Sequence, residues 1–410
     1  MKERFFWIYL DPYTFIFSGD YIRVVYNTLN SNYLEYADSE IINILDALLI
    51  PENGYCVPIS ISLLKKKNVR DFIKDLRKSF SGDIILDRDI EKDNKPFIFM
   101  PLLRMYNNVQ KMKERKAYLG ENILRNICEF TCYLPGECSK KCVNCKNYYK
   151  QMVHCTNHDY KISLTINDYI DLCQMLDTCG VGVVNFIVNS SNINELREIL
   201  YETRFLKLKK VVYIAFDNVN DEIMSVASFC DRLYVNIDYQ IDDSLIIDII
   251  RKYQDLCITW VCIIENEAQI SKVENISTYC NIEMQPFYNG NNSDFFKKYI
   301  YTELEDIISS PIDKKTIFRR HVLNENFFGK LYLFPSGDVF ANLNSKSIGN
   351  LKNCSLMEIV FNEFDESTSW LLTREANCVC AKCINKYLCP SISNYEMYMN
   401  KFDLCYKSLV

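Results

Sequence analysis

Apolar and polar positions alternate at period two near the start of the chain. The runs TFIFS, YIRVVYN and NYLEYA do so between the short turns GD and LNSN, and they predict strands of a small sheet. EIINILDALLI and VRDFIKDLRKSF have helical spacing, with GYCVPIS between them reading as another strand. After the charged stretch DRDIEKDNKP, the segment RMYNNVQKMKERKAYLGENIL predicts a polar linker helix. From residue 127 short apolar runs alternate with longer amphipathic ones. Strands are predicted at ICEFTCYL, VVNFIVN, KVVYIAF, RLYVNID, CITWVCII and NIEMQPF. INDYIDLCQMLDT, INELREILYETRFL, NDEIMSVASF, DDSLIIDIIRKYQDL and AQISKVENISTY lie between them as helices, and NSDFFKKYIYTELEDIIS closes the series as another. Six such units imply parallel strands joined by crossover helices. They are too few for a closed eight-stranded barrel, so an open or partial (β/α)6 barrel is expected. Its chemistry would sit at the C-terminal ends of the strands. Further on, FGKLYLFPSGDVFANLN predicts a hairpin about Ser336-Gly337, and SLMEIVFNEF an amphipathic helix. The expected α/β organisation is a small α+β module over 1–118, the partial barrel over 119–310 and a Cys-rich domain over 311–410.

Composition narrows the chemistry. The chain has 410 residues, 49% of them hydrophobic, enough for two or three domains with a sizeable core. Its 47 basic and 53 acidic side chains leave a net charge of −6, so no basic excess favours a nucleic-acid partner. The opening MKERFFWIYLDPY breaks off at Asp11 without a cleavage-site pattern, and no apolar run is long enough for a membrane span. A soluble, cytoplasmic protein is expected. Only 11 glycines argue against a Gly-rich phosphate loop. His154, His158 and His321 are too few and too scattered for an acid–base constellation.

Cysteine is the unusual residue. Of 19, six fall in 128–155 and five in 378–405. The cytosol keeps thiols reduced, and clustered thiolates at short spacing there point to metal. Cys56, Cys173, Cys179, Cys230, Cys257, Cys262, Cys280 and Cys354 are scattered and read as small buried hydrophobes. Cys138-Ser-Lys-Lys-Cys142-Val-Asn-Cys145 follows the first parallel strand. Three thiolates on one loop can hold three corners of a cubane cluster, leaving one iron without a protein ligand. Zinc would want a fourth ligand, which His154, Cys155 or His158 could supply. In the tail, Cys380-Ala-Lys-Cys383, then Cys389 and Cys405, offer four thiolates suited to an iron–sulfur cluster or a C4 zinc site.

The triplet, its place after the first strand and the six βα units together resemble the radical SAM superfamily. The resemblance implies that Cys138, Cys142 and Cys145 ligate a 4Fe–4S cluster whose open iron chelates S-adenosylmethionine (SAM). Electron transfer would then cleave SAM to a 5′-deoxyadenosyl radical. It further implies SAM contacts at Asn189 and Ser190 after the second strand, Asp238 after the fourth, and Pro286 and Phe287 after the sixth. The chain departs from the family pattern in having Asn144 before the third Cys, and Asn189-Ser190-Ser191 in place of a Gly-Gly-Glu turn.

The tail spacing, with GKLYLFPSGDVFAN and IGNLKNCSLMEIV before it, resembles the SPASM domain of peptide-modifying radical SAM enzymes. That implies one auxiliary 4Fe–4S cluster on Cys380, Cys383, Cys389 and Cys405. The family's other auxiliary cluster would be missing, because Asn342 and Ser393 stand where it has Cys; Cys378 is a spare thiolate. FIFSGDYIRVVYNTLNSNYLEYADSEIINILDALL resembles a winged-helix element that binds a precursor peptide by adding a strand to its sheet. YLDPYTFIFS and YYKQMVHC resemble a Bacteroidales family of radical SAM peptide maturases and pseudo-radical SAM relatives near double-glycine-leader precursors. Together these imply an enzyme that modifies a ribosomally synthesised peptide. The alternatives are a pseudo-enzyme that binds the precursor peptide or a partner maturase, and a zinc-stabilised scaffold.

Overall fold

The structure is a computed structural model, and it describes residues 5–86, 120–136, 145–152, 155, 164–188, 190–238, 241–366 and 368–409. The N-terminal strands form two three-stranded antiparallel sheets rather than the single small sheet expected. β1 (Phe5–Leu10) lies between β5 (Cys56–Ser60) and β6 (Gly82–Leu86). β3 (Arg23–Asn27) lies between β2 (Thr14–Ser18) and β4 (Tyr33–Tyr36). Helix Ser39–Leu49 is capped by the Asp38 carboxylate. With helix Lys67–Lys78 it buries Leu45, Leu48, Phe72 and Leu76 against Ile8, Leu10 and Ile59. The outer face of β2 and β3 is equally apolar. Phe15, Phe17, Val24 and Tyr26 pack there against Ile307, Ile317, Tyr387, Leu388 and Cys389, tying this module to the tail.

All six predicted parallel strands form. β7 (Glu129–Tyr133), β8 (Val183–Ile187), β9 (Lys209–Ala215), β10 (Arg232–Ile237), β11 (Ile258–Ile264) and β12 (Ile282–Pro286) pair in chain order. The intervening helices carry explicit start and stop signals. Ile166–Cys179 opens with a Thr165/Asp168 capping box and stops at Gly180 in the left-handed conformation. Phe130, Phe186, Ile214, Val235 and Trp260 face these helices and form the main core.

The expected hairpin is also present. β13 (Lys330–Leu333) and β14 (Asp338–Phe340) turn at Gly337, and β15 (Gly349–Asn350) follows. β13 does more than the sequence indicated, since it pairs in parallel with β7 and extends the large sheet to nine strands. Gly329 makes the junction: its carbonyl accepts from the Cys128 and Glu129 N–H groups. A Cβ there would stand 2.5 Å from the Asn126 carbonyl oxygen.

Two helical expectations differ. The closing helix is two, Ser293–Tyr299 and Leu304–Ser309. The break comes at Thr302, whose backbone pairs with Leu404 and Tyr406 of the tail, so a tertiary strand contact outcompetes helix continuity. Most of the polar linker helix lies outside the described residues, and its end, Gly120–Asn126, is 3₁₀ rather than α. Among the described residues, no helix is long and apolar enough to cross a membrane.

Candidate functional site

Alternation along the parallel strands sends a second set of side chains to the face away from the helices. Glu129, Thr131, Asn185, Tyr213, Tyr234 and Asn236 lie there, an unusually polar surface for a parallel sheet. Asn185 Nδ2 donates to Glu129 Oε1 at 2.5 Å and to Thr131 Oγ1 at 3.1 Å. Tyr213 stacks on Tyr234 with ring centroids 4.7 Å apart. Burial, then the charges of Glu129 and Glu283, push the Tyr213 hydroxyl above its ordinary pKa.

This face is concave. β12 and β13 are six strand steps apart, about 29 Å if the sheet were flat. Yet Gln285 of β12 and Lys330 and Tyr332 of β13 border one cavity of about 260 Å³. Tyr395, on helix Asn394–Met399, fills the gap between the two edges: its hydroxyl accepts from Gln285 Nε2 and donates to the Pro286 carbonyl at 2.6 Å.

Helix Cys145–Gln151 lies across the C-terminal ends of the strands. The Tyr148 ring stacks on Phe287 at 4.3 Å, in a cluster with Met152 and Ile263. The next residue, Tyr149, packs edge-on to Phe334 beyond β13. Gln151 holds the Tyr288 backbone on both sides, donating to its carbonyl and accepting from its N–H, each at 2.8 Å. The helix begins at Cys145, the last cysteine of the triplet, and packs at the ends of β11 and β12.

Cys138, Cys142, His154, His158 and Asn189 lie outside the described residues, as do the side chains of Cys145 and Ser190. Ser190 opens a 3₁₀ turn after β8, and Asp238 follows β10, half-buried. Pro286 ends β12. Phe287 is fully buried, its ring covered by Tyr148 and its N–H donated to the Ile264 carbonyl. Two buried oxygens near these strand ends have no hydrogen-bond partner, Asn236 Oδ1 and Glu265 Oε1. The other Glu265 oxygen accepts from Asn289 Nδ2 at 2.7 Å. Sequence reading missed Glu265, because one acidic residue after a strand carries no pattern.

The tail thiols surround a buried charge. Arg374 pairs with Glu396 through two hydrogen bonds, 2.9 and 3.1 Å, and reaches Cys380 Sγ at 3.5 Å. Cys380 Sγ also lies 3.3 Å from the Phe402 carbonyl. Burial pushes the Cys389 thiol up to about 12 against the pull of Arg374, with Glu396, Cys405 and Cys380 adding to the rise. Burial also raises Cys380, with Arg374 opposing. Lys407 hydrogen-bonds to Cys383 and feels Cys405. As a donor set, four soft thiols flanked by two cations suit an anionic iron–sulfur cluster. Among the described residues, however, no three metal-ligating side chains converge on one point. Cys378 is exposed. Of the scattered cysteines, Cys56, Cys173 and Cys262 are buried as expected. Cys179, Cys230, Cys280 and Cys354 are half-buried, and Cys257 is exposed at the start of β11.

Where the SPASM resemblance places cysteines of a further cluster, an amide network stands instead. Asn342 and Asn344 both donate to Asn394 Oδ1, at 3.3 and 2.9 Å, and Asn394 donates to the Lys150 carbonyl at 2.7 Å. Ser393 caps the following helix in a box with Glu396.

No protein-family model matches the chain, and no curated protein does. Among solved structures, SuiB of Streptococcus suis matches with TM-score 0.42 and 12% identity over 93% of this chain and 94% of that one. SuiB bound to the precursor peptide SuiA matches with TM-score 0.46 and 10% identity, over 93% and 94%. SuiB bound to S-adenosylmethionine matches with TM-score 0.37 and 12% identity, over 86% and 88%. Likeness at this level leaves function to be read from the chain's own residues.

Proposed function

We propose that this chain is a radical SAM/SPASM-type protein acting in the maturation of a ribosomally synthesised peptide. In this reading residues 119–310 are a partial (β/α)6 barrel, 1–118 a precursor-recognition module and 311–410 a SPASM-like domain. The observation that carries it is the Cys138-x3-Cys142-x2-Cys145 spacing, which lies in the sequence between the first of six sequential parallel strands and a helix, Cys145–Gln151, that packs on the C-terminal ends of the last two. Cys138, Cys142 and Cys145 would hold one 4Fe–4S cluster, and Cys380, Cys383, Cys389 and Cys405 an auxiliary one. When bound, the first cluster supplies the electron that cleaves SAM to a 5′-deoxyadenosyl radical. This chain's residues do the rest. Tyr148 and Gln151 anchor the helix that begins at Cys145, while Asn236 and Glu265 offer unpartnered acceptors for donor groups of a ligand. Asn189, Ser190, Asp238, Pro286 and Phe287 would contact SAM in this reading; Asp238 follows β10, and Pro286 and Phe287 end and follow β12.

Anaerobic preparation is expected to give about eight irons per chain. With dithionite and SAM, 5′-deoxyadenosine should form and be lost in Cys142→Ala. About four irons that persist unchanged in a triple Ala variant at 138, 142 and 145 would overturn the catalytic assignment.

A pseudo-radical SAM protein that binds precursor peptide or a partner maturase is the second reading. It is favoured by Tyr148 covering Phe287, by Asn144, and by the amide network at Asn342 and Asn394. It predicts bound peptide with no 5′-deoxyadenosine. Stoichiometric zinc without charge-transfer absorption would identify the scaffold reading. The finer placement beside the Bacteroidales maturases rests on YLDPYTFIFS and YYKQMVHC alone.

A further inference from the structure

We infer that the cavity between β12 and β13 is a carboxylate-binding subsite for an acidic position of a bound peptide. Its walls are set by Gln285, Tyr395, Asn342 and Ser393, and its charged members are Lys150 and Lys330. No acidic side chain lines it. Lys330 Nζ forms only a loose ion pair with Glu129, at 3.8 Å and without a hydrogen bond, and no ion pair is found for Lys150 among the described residues. The cavity is thus lined by Lys150 and by Lys330, whose carboxylate neighbour, Glu129, stands off from it, and by no acidic side chain. The uncharged wall is already committed. Asn342 and Asn394 bond to each other, and the Tyr395 hydroxyl spends its proton on Pro286. A rigid wall with unspent cationic donors favours an anion over a neutral amide. Size selects the kind of anion. At about 260 Å³ the cavity falls below the roughly 300–1,000 Å³ of sites for cofactor-sized ligands, so it takes a side chain or a chain end.

The inference rests on the peptide-maturation reading for its ligand, but its test needs neither iron nor SAM turnover. The full chain is titrated calorimetrically with three probes: acetyl-Ala-Glu-Ala-amide, acetyl-Ala-Gln-Ala-amide, and acetyl-Ala-Gln-Ala with a free C-terminal carboxylate. The glutamate probe should bind about tenfold more tightly than its glutamine counterpart. Lys150→Gln and Lys330→Gln should each weaken it about three- to fivefold, with thermal unfolding unchanged. Preference for the free-terminus probe over both amidated ones would assign the subsite to a peptide C-terminus. Equal binding of glutamate and glutamine probes, no binding of any, or indifference to both lysine variants overturns the inference. Iron content and 5′-deoxyadenosine formation are measured on the same preparation. Bound peptide without SAM cleavage removes only the catalytic reading, and SAM cleavage without carboxylate preference removes only the subsite.

Discussion

Arg374→Met tests how the tail is held. Arg374 and Glu396 are 9% and 2% exposed at the side chain, and their bidentate contact is the most buried ion pair among the described residues. Arg374 also donates to the Pro390 carbonyl at 2.5 Å and the Phe402 carbonyl at 3.3 Å, so one guanidinium gathers segments from 374 to 402. Burial alone would lower its pKa, but Cys389, Glu396 and Cys380 outweigh it and keep the charge in place. Removing one member of such a pair strands the other's charge, at about 3–5 kcal/mol. The lower figure applies here, because Glu396 keeps its hydrogen bond from the Ser393 N–H at 2.7 Å. A chain of this size need not unfold in one step. Hydrogen exchange over residues 370–405 is therefore the appropriate assay, and about 3 kcal/mol corresponds to a hundredfold or more loss of protection. In the double variant Arg374→Met/Glu396→Gln the stranded charge is gone, and about 2 kcal/mol should return as coupling. Loss of under tenfold in the single variant, or strict additivity in the double, would refute the account of Arg374 as the tail's charged hub.

Tyr148→Ala should cost about 3 kcal/mol of local stability around helix Cys145–Gln151, as exchange over 145–152 would show. Gly329→Ala should lose about 2 kcal/mol or more, seen as a lower urea midpoint, because φ is +78° and the new Cβ meets the Asn126 carbonyl and Cys128 Sγ. Asp168 accepts from the Thr165 N–H and pairs with Lys352, and these hold its carboxyl below the ordinary value of 3.8. Its contribution is thus complete above the unfolded pKa and fades as pH falls through the lower folded one. Asp168→Asn should cost about 0.5–1 kcal/mol near neutrality and nothing at pH values below the folded pKa, as pH-dependent urea unfolding would show.

The parallel sheet was legible because each strand is a compact β-branched or aromatic run followed by a full helical period, and local pattern suffices for such units. β1 escaped because FFWIYL is continuously apolar and shows no alternation. Thr302 broke the closing helix through a partner a hundred residues away, which no local window contains. The concave site was half legible. Spacing exposed the thiols, but the amide network draws on Asn342, Asn344 and Asn394, unremarkable residues that matter only once the tail folds back. Glu265 and the lysine-lined cavity were invisible for the same reason.

The pairing of β13 with β7 also orders events in time. Thr131 and Tyr332 sit opposite one another across roughly 200 residues of chain, so one flank of the parallel sheet waits for a strand made long after the other six. On a ribosome, β7 and the cysteine loop beside it emerge early with that edge unpaired. The edge is covered only when the hairpin arrives, and helix Asn394–Met399 closes the gap later still. Completion of the concave face is therefore a late event, set by the hairpin and by the helix that follows it rather than by the six strands themselves.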